Sequence, residues 1–508
     1  MDTANAYDII VVGSGMGGLT TAALLANENY KVLVLEAAHA LGGCSSSYYR
    51  QGYWFETGAT TLIGFDKYQP LRYLEQQTGI HIPREELLPS MQVHLDGHII
   101  TRYKDREQWI NEAGRVFGDI KRQQKFWELA FIVSDAVWRI SLNNNFFPPA
   151  SFKDLLELIK NNSALDFWIL PYALKSVARV MQDLRVDSPK FEKFVNEQLM
   201  ITAQSKAKDT PFLFGAAGLT YTNYSNFYVP GGLINMVEEI GNFIIAREGA
   251  IKTKSPVECI AVTKGGYAVN TASETFTTPV VVSNVPVWNM PSITINNIRR
   301  YFVQKSQKYK QAWGAFTIGM VTNDCYPDAL PLHHQLHFDR PGDDLTGSNS
   351  IFVSLSHPDD VKRAKKGHRV LNISMHTQPG GWFIDNEEDY KSRKQLLTSF
   401  VTRQLEEKLP GFKESEIVKR FAATPLTWQN WVYRRKGRVG GIPQSMERSL
   451  LDWTPTQTPF VGLFLCGDTV FPGQGIPGVT LSGINCFHRI QRYMLQRKPE
   501  IKNPNLVS

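Results

Sequence analysis

The chain has 508 residues, 43% of them hydrophobic, so it can bury a large core and is expected to form a globular protein of two or three structural regions. Its 55 Lys and Arg residues exceed its 48 Asp and Glu residues by 7, without a basic tail. This mild excess gives no reason to expect a nucleic-acid partner and is compatible with an anionic membrane surface. The five cysteines lack a CxxC pair, which disfavours a disulfide framework or a zinc site.

The first predicted strand begins at Tyr7, and no apolar run approaches the ~18 residues that a membrane span requires. We therefore expect neither a signal or transit peptide nor a membrane-spanning helix. These features predict a bacterial-type cytoplasmic protein that is soluble or lies on a membrane surface. A reducing compartment agrees with the unpaired cysteines.

The N-terminal segment has the pattern of a βαβ unit. An apolar run from Tyr7 to Val12 leads directly into a GxGxxG sequence at positions 13–18, and small apolar residues then recur at helical spacing between Leu19 and Ala26. A second apolar run, Val32 to Leu35, ends at an acid, Glu36, which lies 23 residues after Gly13. Strand, glycines, helix, second strand and acid are therefore in the register of a dinucleotide-binding unit.

Each residue of this pattern has a physical role in such a unit. Gly13 permits a tight turn, Gly15 lets backbone N–H groups approach a pyrophosphate, and Gly18 lets the helix pack close to the strand. Gly17 belongs to the same candidate set, and Glu36 would bind ribose hydroxyls. The alternative is a glycine-rich turn without a ligand, which the complete register disfavours.

The next segment differs from that of nicotinamide-binding proteins. Paired glycines, Gly42 and Gly43, precede Cys44, and an aromatic-rich run ends in Glu56-Thr57-Gly58. This segment resembles the carotenoid isomerases, phytoene desaturases and retinol saturases, which are FAD-dependent oxidoreductases of the amine-oxidase-like superfamily. The resemblance implies FAD as the cofactor, bound in part by Gly42, Gly43, Thr57 and Gly58. Some phytoene desaturases carry a basic residue where this chain has Cys44, which we expect to be a packing residue.

A long aromatic and basic stretch, Lys125 to Gln182, follows in the first of two segments that lack a nucleotide motif. Aromatic side chains beside lysines suit an interfacial helix that contacts lipid headgroups. An ordinary helical subdomain with an aromatic core is the alternative. Carotenes dissolve in membranes, so the resemblance favours peripheral membrane contact. Ser188-Pro189 predicts the start of a helix with Phe191, Phe194, Val195 and Leu199 on its inner face.

A second block similar to the family begins at Tyr228 and opens a helix whose apolar face includes Met236, Val237, Ile240 and Phe243. Short strands are predicted at 257–262, 267–271 and 280–284. The resemblance implies that the backbone of Val257 contacts the adenine side of FAD. It also leads us to expect the strand ending at Asn284 at the edge of the sheet.

The second long segment predicts strands at 316–321, 350–355 and 369–375, which suit an antiparallel sheet under a substrate pocket. His333 and His337 have the i, i+4 spacing that could bind a metal if helical. On a strand His334 lies on the face opposite to His333 and His337, so structural histidines are favoured and no metal is expected. The basic run that starts at Arg434 could bind phosphate or lipid. The resemblance instead favours a structural loop near the flavin and the substrate channel.

The last matching block is an apolar strand that ends at Cys466-Gly467-Asp468, followed by a helix to about Gln491. By resemblance, Gly467 and Asp468 bind the ribityl or pyrophosphate region. The N–H groups of Val479 and Thr480 would then face the flavin N1 and C2 carbonyl, where the helix dipole favours negative charge. Cys466 is expected to be buried in the core.

These observations predict an α/β fold with a Rossmann-like FAD-binding domain of the amine-oxidase and GDP-dissociation-inhibitor type. That domain is predicted to comprise residues 1–70, 226–290 and 450–508. Residues 71–225 and 291–449 would form a substrate domain of antiparallel sheet and helices, with a helical membrane-facing subdomain at about 105–200.

The resemblance implies cis/trans isomerisation, desaturation or saturation of a long polyene such as a carotene. The flavin would carry this chemistry, so no catalytic side chain is assigned and the electron acceptor is left open. An amine oxidase, or a prenyl carrier of the GDP-dissociation-inhibitor type without FAD, are the alternatives. Such carriers lack the complete set of Gly13, Gly15, Gly18, Glu36 and Asp468.

Overall fold

The structure is a computed structural model that describes residues 5–309, 312–339 and 346–501. Its strands, β1 to β21 in chain order, are Ile9–Val12, Val32–Leu35, Ser47–Arg50, Tyr53–Glu56, Leu62–Ile63, Glu85–Glu86, Met91–Leu95, His98–Arg102, Asn226–Tyr228, Ala250–Lys252, Val257–Thr263, Gly266–Thr271, Thr275–Thr278, Val280–Ser283, Trp313–Asn323, His333–His337, Ser350–Leu355, His368–Thr377, Ile417–Ala423, Arg438–Val439 and Leu463–Leu465.

Its α-helices, α1 to α14, are Met16–Asn27, Pro70–Thr78, Arg106–Phe117, Ile120–Asn143, Phe152–Asn161, Val177–Asp183, Pro189–Thr202, Phe212–Leu219, Ile234–Ala246, Met290–Ile293, Asn296–Lys308, Glu387–Lys408, Pro425–Val432 and Ile476–Ile501. Short 3-10 helices include Gly43–Ser45, Ala164–Ala173 and Arg435–Gly437. The mixed helix and strand content confirms the predicted α/β class.

A five-stranded parallel sheet in the order β10-β2-β1-β14-β21 positions the N-terminal glycines. Ile9 pairs with Val32 on one side and with Val280 on the other. All four residues of β1, β2 and β14 are buried, as expected for a parallel sheet covered on both faces. Helix α1 packs against α9 and α14 and is buried around almost its whole circumference, which explains its run of small apolar residues.

One expectation about this sheet is wrong. The strand that ends before Asn284, β14, lies between β1 and β21 and is not an edge. The C-terminal strand β21 adds beyond it, with Val281 aligned to Leu463. Asn284 therefore follows an interior strand, at the carboxyl ends of the parallel strands where ligands bind in such folds.

The second large sheet has the order β19-β15-β18-β17-β16-β7-β8, with β20 also paired to β15. The antiparallel arrangement predicted for the strands near 316, 350 and 369 is confirmed, although β16 and β7 pair in parallel. Its helical cover includes α12, whose residues Leu397, Val401 and Leu405 are buried in the core beneath the sheet.

Helices α3, α4, α6, α7 and α8 surround an aromatic core in which Trp109, Trp127 and Phe126 are fully buried. The predicted inner face of α7 is confirmed, because Phe191, Phe194, Val195 and Leu199 are all buried there. Over the described residues, no helix combines the length and the apolarity needed to cross a membrane.

Candidate cofactor site

A cavity of about 680 Å³ lies at the carboxyl ends of β1, β2 and β14. Ten of the residues predicted to bind the cofactor line it: Gly13, Gly15, Gly17, Glu36, Gly42, Gly43, Val257, Gly467, Asp468 and Val479. They come from four distant parts of the chain, which the parallel sheet and α14 bring together.

The other four predicted residues, Gly18, Thr57, Gly58 and Thr480, pack behind the residues that line the cavity. Gly18 packs against the carbonyl of Gly13, and a Cβ atom added there would lie 2.4 Å from that oxygen. The Thr57 N–H donates to the carbonyl of Ser46, and Gly58 packs beside the carbonyl of Cys44. Thr480 is buried, and its hydroxyl donates to the Ile476 carbonyl within α14.

Two glycines of the first loop are required by close backbone approach. A Cβ atom at Gly17 would lie 2.8 Å from the backbone nitrogen of Gly467. One at Gly15 would lie 2.4 Å from the side-chain nitrogen of Asn284. The loop after β1 therefore touches the turns after β14 and β21, and a larger residue at Gly17 would separate them.

The Glu36 carboxylate is fixed before any ligand arrives. One of its oxygens accepts from both the backbone N–H and the hydroxyl of Ser14, at 2.7 and 2.6 Å. The other accepts from the Ala38 N–H at 2.8 Å. A carboxylate offers about four acceptor positions, so Glu36 can still accept from a ligand hydroxyl.

Asn284 is a residue of the site that the sequence did not indicate. Its side-chain oxygen accepts the Gly18 N–H at 3.0 Å, so it holds the first turn of α1. The same oxygen lies 3.6 Å from the buried Cys466 sulfur, which confirms Cys466 as a core residue. Its position directly after a short apolar strand could have indicated a site residue, but that strand was expected at the edge of the sheet.

Beyond the last strand, the Gly467 N–H donates to the Ser482 hydroxyl at 2.8 Å and so connects the strand end to α14. Val479 lines the cavity, while its N–H donates to the Gly475 carbonyl at 2.9 Å. That amide is therefore engaged within the helix, and the first turn of α14 faces the site mainly through its dipole.

Arg434 is a second site residue: the resemblance placed its loop near the flavin, but its ion pair was not foreseen. It is buried, lines the cavity, and donates to the Asp468 carboxylate at 2.6 Å. Although burial opposes its charge, Asp468 and Cys44 raise the pKa of Arg434. Cys44 lines the cavity next to this guanidinium, and burial raises the pKa of its thiol although Arg434 acts in the opposite direction. Cys44 is thus a residue of the site wall.

The predicted histidine cluster lies on β16, in the second sheet. His334 shares a hydrogen bond of 3.1 Å with His94, and the His333 ring lies 3.1 Å from the Thr61 hydroxyl. Burial lowers the pKa of His333 to about 4 and that of His334 to about 3. Throughout the described ranges, no three His, Cys, Asp or Glu side chains are grouped as a metal site would require.

The cavity residues fit a dinucleotide such as FAD. The first turn of α1 contains no acidic residue that would compete with a phosphate for its N–H groups. The glycines allow close approach, Glu36 retains acceptor capacity, and Arg434 places a buried positive charge beside the glycine turns.

Comparison with known proteins agrees with this geometry. Residues 16–490 match the family described as flavin containing amine oxidoreductase. The chain is 26% identical over 515 residues to the chloroplastic prolycopene isomerase of Daucus carota, covering 99% of this chain and 83% of that protein. It is 22% identical over 526 residues to 4,4'-diapophytoene desaturase (4,4'-diapolycopene-forming) of Methylomonas sp, covering 98% and 97%.

The crystal structure of an oxidoreductase from Methanosarcina mazei has the same fold, with a TM-score of 0.63 at 15% identity over 95% of this chain and 100% of that one. The family match confirms the predicted resemblance and the predicted cofactor, FAD. It also confirms that the protein is an enzyme.

Proposed function

Because the chain belongs to the family of flavin-containing amine oxidoreductases, we propose that it is an FAD-dependent carotenoid oxidoreductase that catalyses cis/trans isomerisation of a long polyene such as a carotene. The observation that carries this proposal is the similarity to prolycopene isomerase along 99% of the chain. The dinucleotide clamp, meaning Gly13, Gly15, Gly18, Glu36 and Asp468, is also complete in this chain.

In this proposal different cavity residues bind different parts of the cofactor. Glu36 and the Val257 backbone hold the adenosine end, and the turns at Gly13–Gly18 and Gly42–Gly43 receive the pyrophosphate. Gly467 and Asp468 hold the ribityl region, while Thr57, Gly58, Val479 and Thr480 lie toward the flavin. Support comes from the location of these residues in or directly around one cavity.

When bound, FAD supplies hydride or electron transfer at its flavin ring. The chain's own contribution is to orient an apolar substrate against that ring and to exclude water. We assign substrate binding to residues 71–225 and 291–449, and cofactor binding to 1–70, 226–290 and 450–508. The parallel sheet draws its strands from the second group of segments, and the large second sheet from the first group.

A peripheral membrane contact completes the proposal, with the enzyme on the cytoplasmic side. The aromatic stretch divides into two parts: Phe126, Trp127 and Phe131 are buried in the helical core, whereas α5 and the 3-10 helix after it carry exposed apolar residues. This apolar patch comprises Phe152, Leu155, Leu156, Ile159, Phe167, Trp168, Leu170 and Leu174.

Exposed Lys153 and Lys160 flank the apolar patch and suit anionic lipid headgroups. Lys175 and Arg179, also nearby, are paired with Asp183 and contribute less. Phe152 and Leu174 are 73% and 82% exposed, which is unusual for side chains of this size. A carotene dissolved in a bilayer would be accessible from such a position.

Desaturation and saturation are the closest alternatives, because the same scaffold and cofactor serve all three reactions. An amine oxidase is the more distant one. A non-enzymatic prenyl carrier is disfavoured by the complete clamp and by the family match. Substrate identity therefore requires a direct assay.

The test uses FAD-loaded protein on liposomes under anaerobic conditions, once with oxidised and once with chemically reduced flavin, with cis-lycopene, phytoene and retinol as substrates and chromatography as the readout. Isomerised lycopene formed without an added electron acceptor supports the proposal. Conversion of phytoene or retinol alone would assign desaturation or saturation instead, and flavin bleaching by amines but not by polyenes would assign an amine oxidase.

A further inference from the structure

The buried arginine beside the glycine turns has no role in the assignments above. Arg434 follows α13, far in sequence from the N-terminal clamp, yet its side chain lies beside Cys44 and Asp468. Both of these neighbours directly follow glycines of the site, Gly43 and Gly467. Gly15 and Gly42 form a β-bridge, so these turns are adjacent to one another. Arg434 therefore reaches the point where three cofactor-binding turns meet.

The guanidinium has donor capacity left for a ligand. Its Nε–H donates to the Arg438 carbonyl, one terminal N–H donates to Asp468, and the Cys44 sulfur is its third partner. A guanidinium carries five N–H donors in a planar fork that matches phosphate oxygens. These three partners hold the guanidinium in place and use at most three of its five N–H donors, so at least two remain for a ligand.

Charge gives the reason why this position needs an arginine. A cofactor diphosphate carries two negative charges, while glycine N–H groups offer only partial positive charge. Cys44, directly after the paired glycines, is a thiol whose pKa is raised by burial, so it remains neutral. Arg299 and Arg435 also line the cavity, but both are solvent-exposed, and Arg435 donates to the Trp288 carbonyl at 3.4 Å. Of these three described arginines, Arg434 is the buried one.

We propose that Arg434 binds the diphosphate of FAD, with Asp468 orienting its guanidinium, and that it supplies from the segment after α13 the positive charge that Cys44 cannot. The proposal depends on FAD being the cofactor and not on which polyene is converted. Its test measures binding alone, so a failed carotenoid assay and a failed arginine assignment are separate results.

The test compares Arg434→Gln with Arg435→Gln, an adjacent arginine of the same cavity, in apoprotein titrated with FAD and with ADP-ribose. Calorimetry measures both affinities. Loss of a charge-assisted hydrogen bond predicts roughly tenfold or more weaker binding of both ligands to Arg434→Gln. Arg435→Gln should remain within about threefold of the original affinity.

Three outcomes would overturn the proposal. The first is Arg434→Gln binding FAD as tightly as the unmodified protein. The second is an equal loss in Arg435→Gln, which would indicate the general field of the cavity rather than a contact. The third is weaker binding of FAD with unchanged binding of ADP-ribose, which would place the contact on the flavin side.

A compensating variant tests the position directly. In Cys44→Arg/Arg434→Gln, a guanidinium enters the same turn from residue 44, and FAD affinity should return to within about threefold of the original. Failure of this rescue in a folded double variant counts against the shared position.

Should Arg434→Gln not fold, Arg434→Lys keeps the charge and removes the fork. The ³¹P resonances of bound FAD should then shift while the flavin absorption spectrum is retained. Unchanged ³¹P resonances would contradict the proposal.

Discussion

The Arg363 guanidinium lies 3.3 Å from the Glu56 carboxylate, and the two side chains are only 2% and 3% exposed. The Ser47 hydroxyl also donates to Glu56 at 2.6 Å. This contact ties the β3–β4 hairpin, next to the cofactor cavity, to the loop between β17 and β18 in the second sheet. Burial raises the pKa of Glu56 and Arg363 acts against that rise, so the carboxylate depends on its partner.

Replacing Arg363 with Met should strongly destabilise the protein. The change leaves Glu56 buried without a counter-charge, and breaking a buried pair in this way costs about 3–5 kcal/mol. A lower melting temperature by calorimetry measures the effect. Lys391→Met is the control, because Lys391 and its partner Glu387 are 70% and 78% exposed and should contribute almost nothing. Equal melting temperatures for the two variants would contradict this account of Glu56.

Gly17→Ala should abolish FAD binding. The added methyl group would lie 2.8 Å from the Gly467 nitrogen, a backbone atom that can retreat only by moving β21 or α14. The purified variant should lack the yellow colour of the unmodified protein and should not regain it in excess FAD. Gly265→Ala is the matched control, since nothing lies within 4 Å of its added carbon. A yellow Gly17→Ala protein would show that the turns are not in contact.

Glu36→Gln should weaken FAD binding about tenfold or more, because an amide cannot replace this carboxylate. Ser14 and Ala38 donate N–H groups to opposite oxygens of Glu36. Either orientation of the glutamine amide therefore directs its NH₂ group at another donor. Titration by flavin fluorescence measures the affinity, with the solvent-exposed Glu28→Gln as control. If both variants bind equally, Glu36 does not hold the ribose.

Acidification should destabilise the protein through its buried histidines. Burial lowers the pKa of His334 from 6.5 to about 3, so the folded state holds it neutral while the unfolded state binds a proton below pH 6.5. Stability is therefore present above pH 6.5 and is lost as pH falls toward 3, by about 2 kcal/mol at pH 5 for this group.

Melting temperatures at pH 7 and pH 5 test this sign. His334→Gln should show a smaller loss on acidification than the unmodified protein. His39→Gln, at an exposed position, should show the same loss as the unmodified protein. A larger loss in His334→Gln would mean that the folded state favours the protonated ring.

The apolar patch should determine attachment to lipid. Phe152→Ser/Leu156→Ser removes two exposed apolar side chains of α5 without touching the buried Asp154, which pairs with Arg489 at 3.0 Å. Sedimentation with vesicles containing phosphatidylglycerol should show several-fold weaker binding. Val461→Ser is the control, because Val461 is 78% exposed and lies outside the patch. Equal loss in both proteins would assign binding to general hydrophobicity.

The sequence predicted those parts of the site that depend on local order. The spacing of Gly13, Gly15 and Gly18 predicted the turn and the start of α1, and the apolar runs of β15, β17 and β18 predicted strands of an antiparallel sheet. These patterns reflect backbone periodicity within a few residues. These local patterns therefore do not depend on how distant segments of the chain pack.

The contacts that pass between segments were not predictable in the same way. Arg434 belongs to a basic run that resembles a surface patch, and only the packing of α13 against the cofactor region buries it beside Asp468. The resemblance led to an edge position for the strand before Asn284, and no local pattern indicates that β21 pairs beyond β14. The ion pair of Arg434 and the order of the strands are long-range features, which a single sequence does not encode in its spacing.

The most direct measurement mixes reduced, FAD-loaded protein on liposomes with cis-lycopene under anaerobic conditions and follows the absorption of polyene and flavin together. We expect the polyene spectrum to change to that of a more trans isomer while the flavin stays reduced, over many turnovers. Flavin oxidation in proportion to polyene consumed, or an unchanged polyene spectrum in a fully yellow protein, would contradict it.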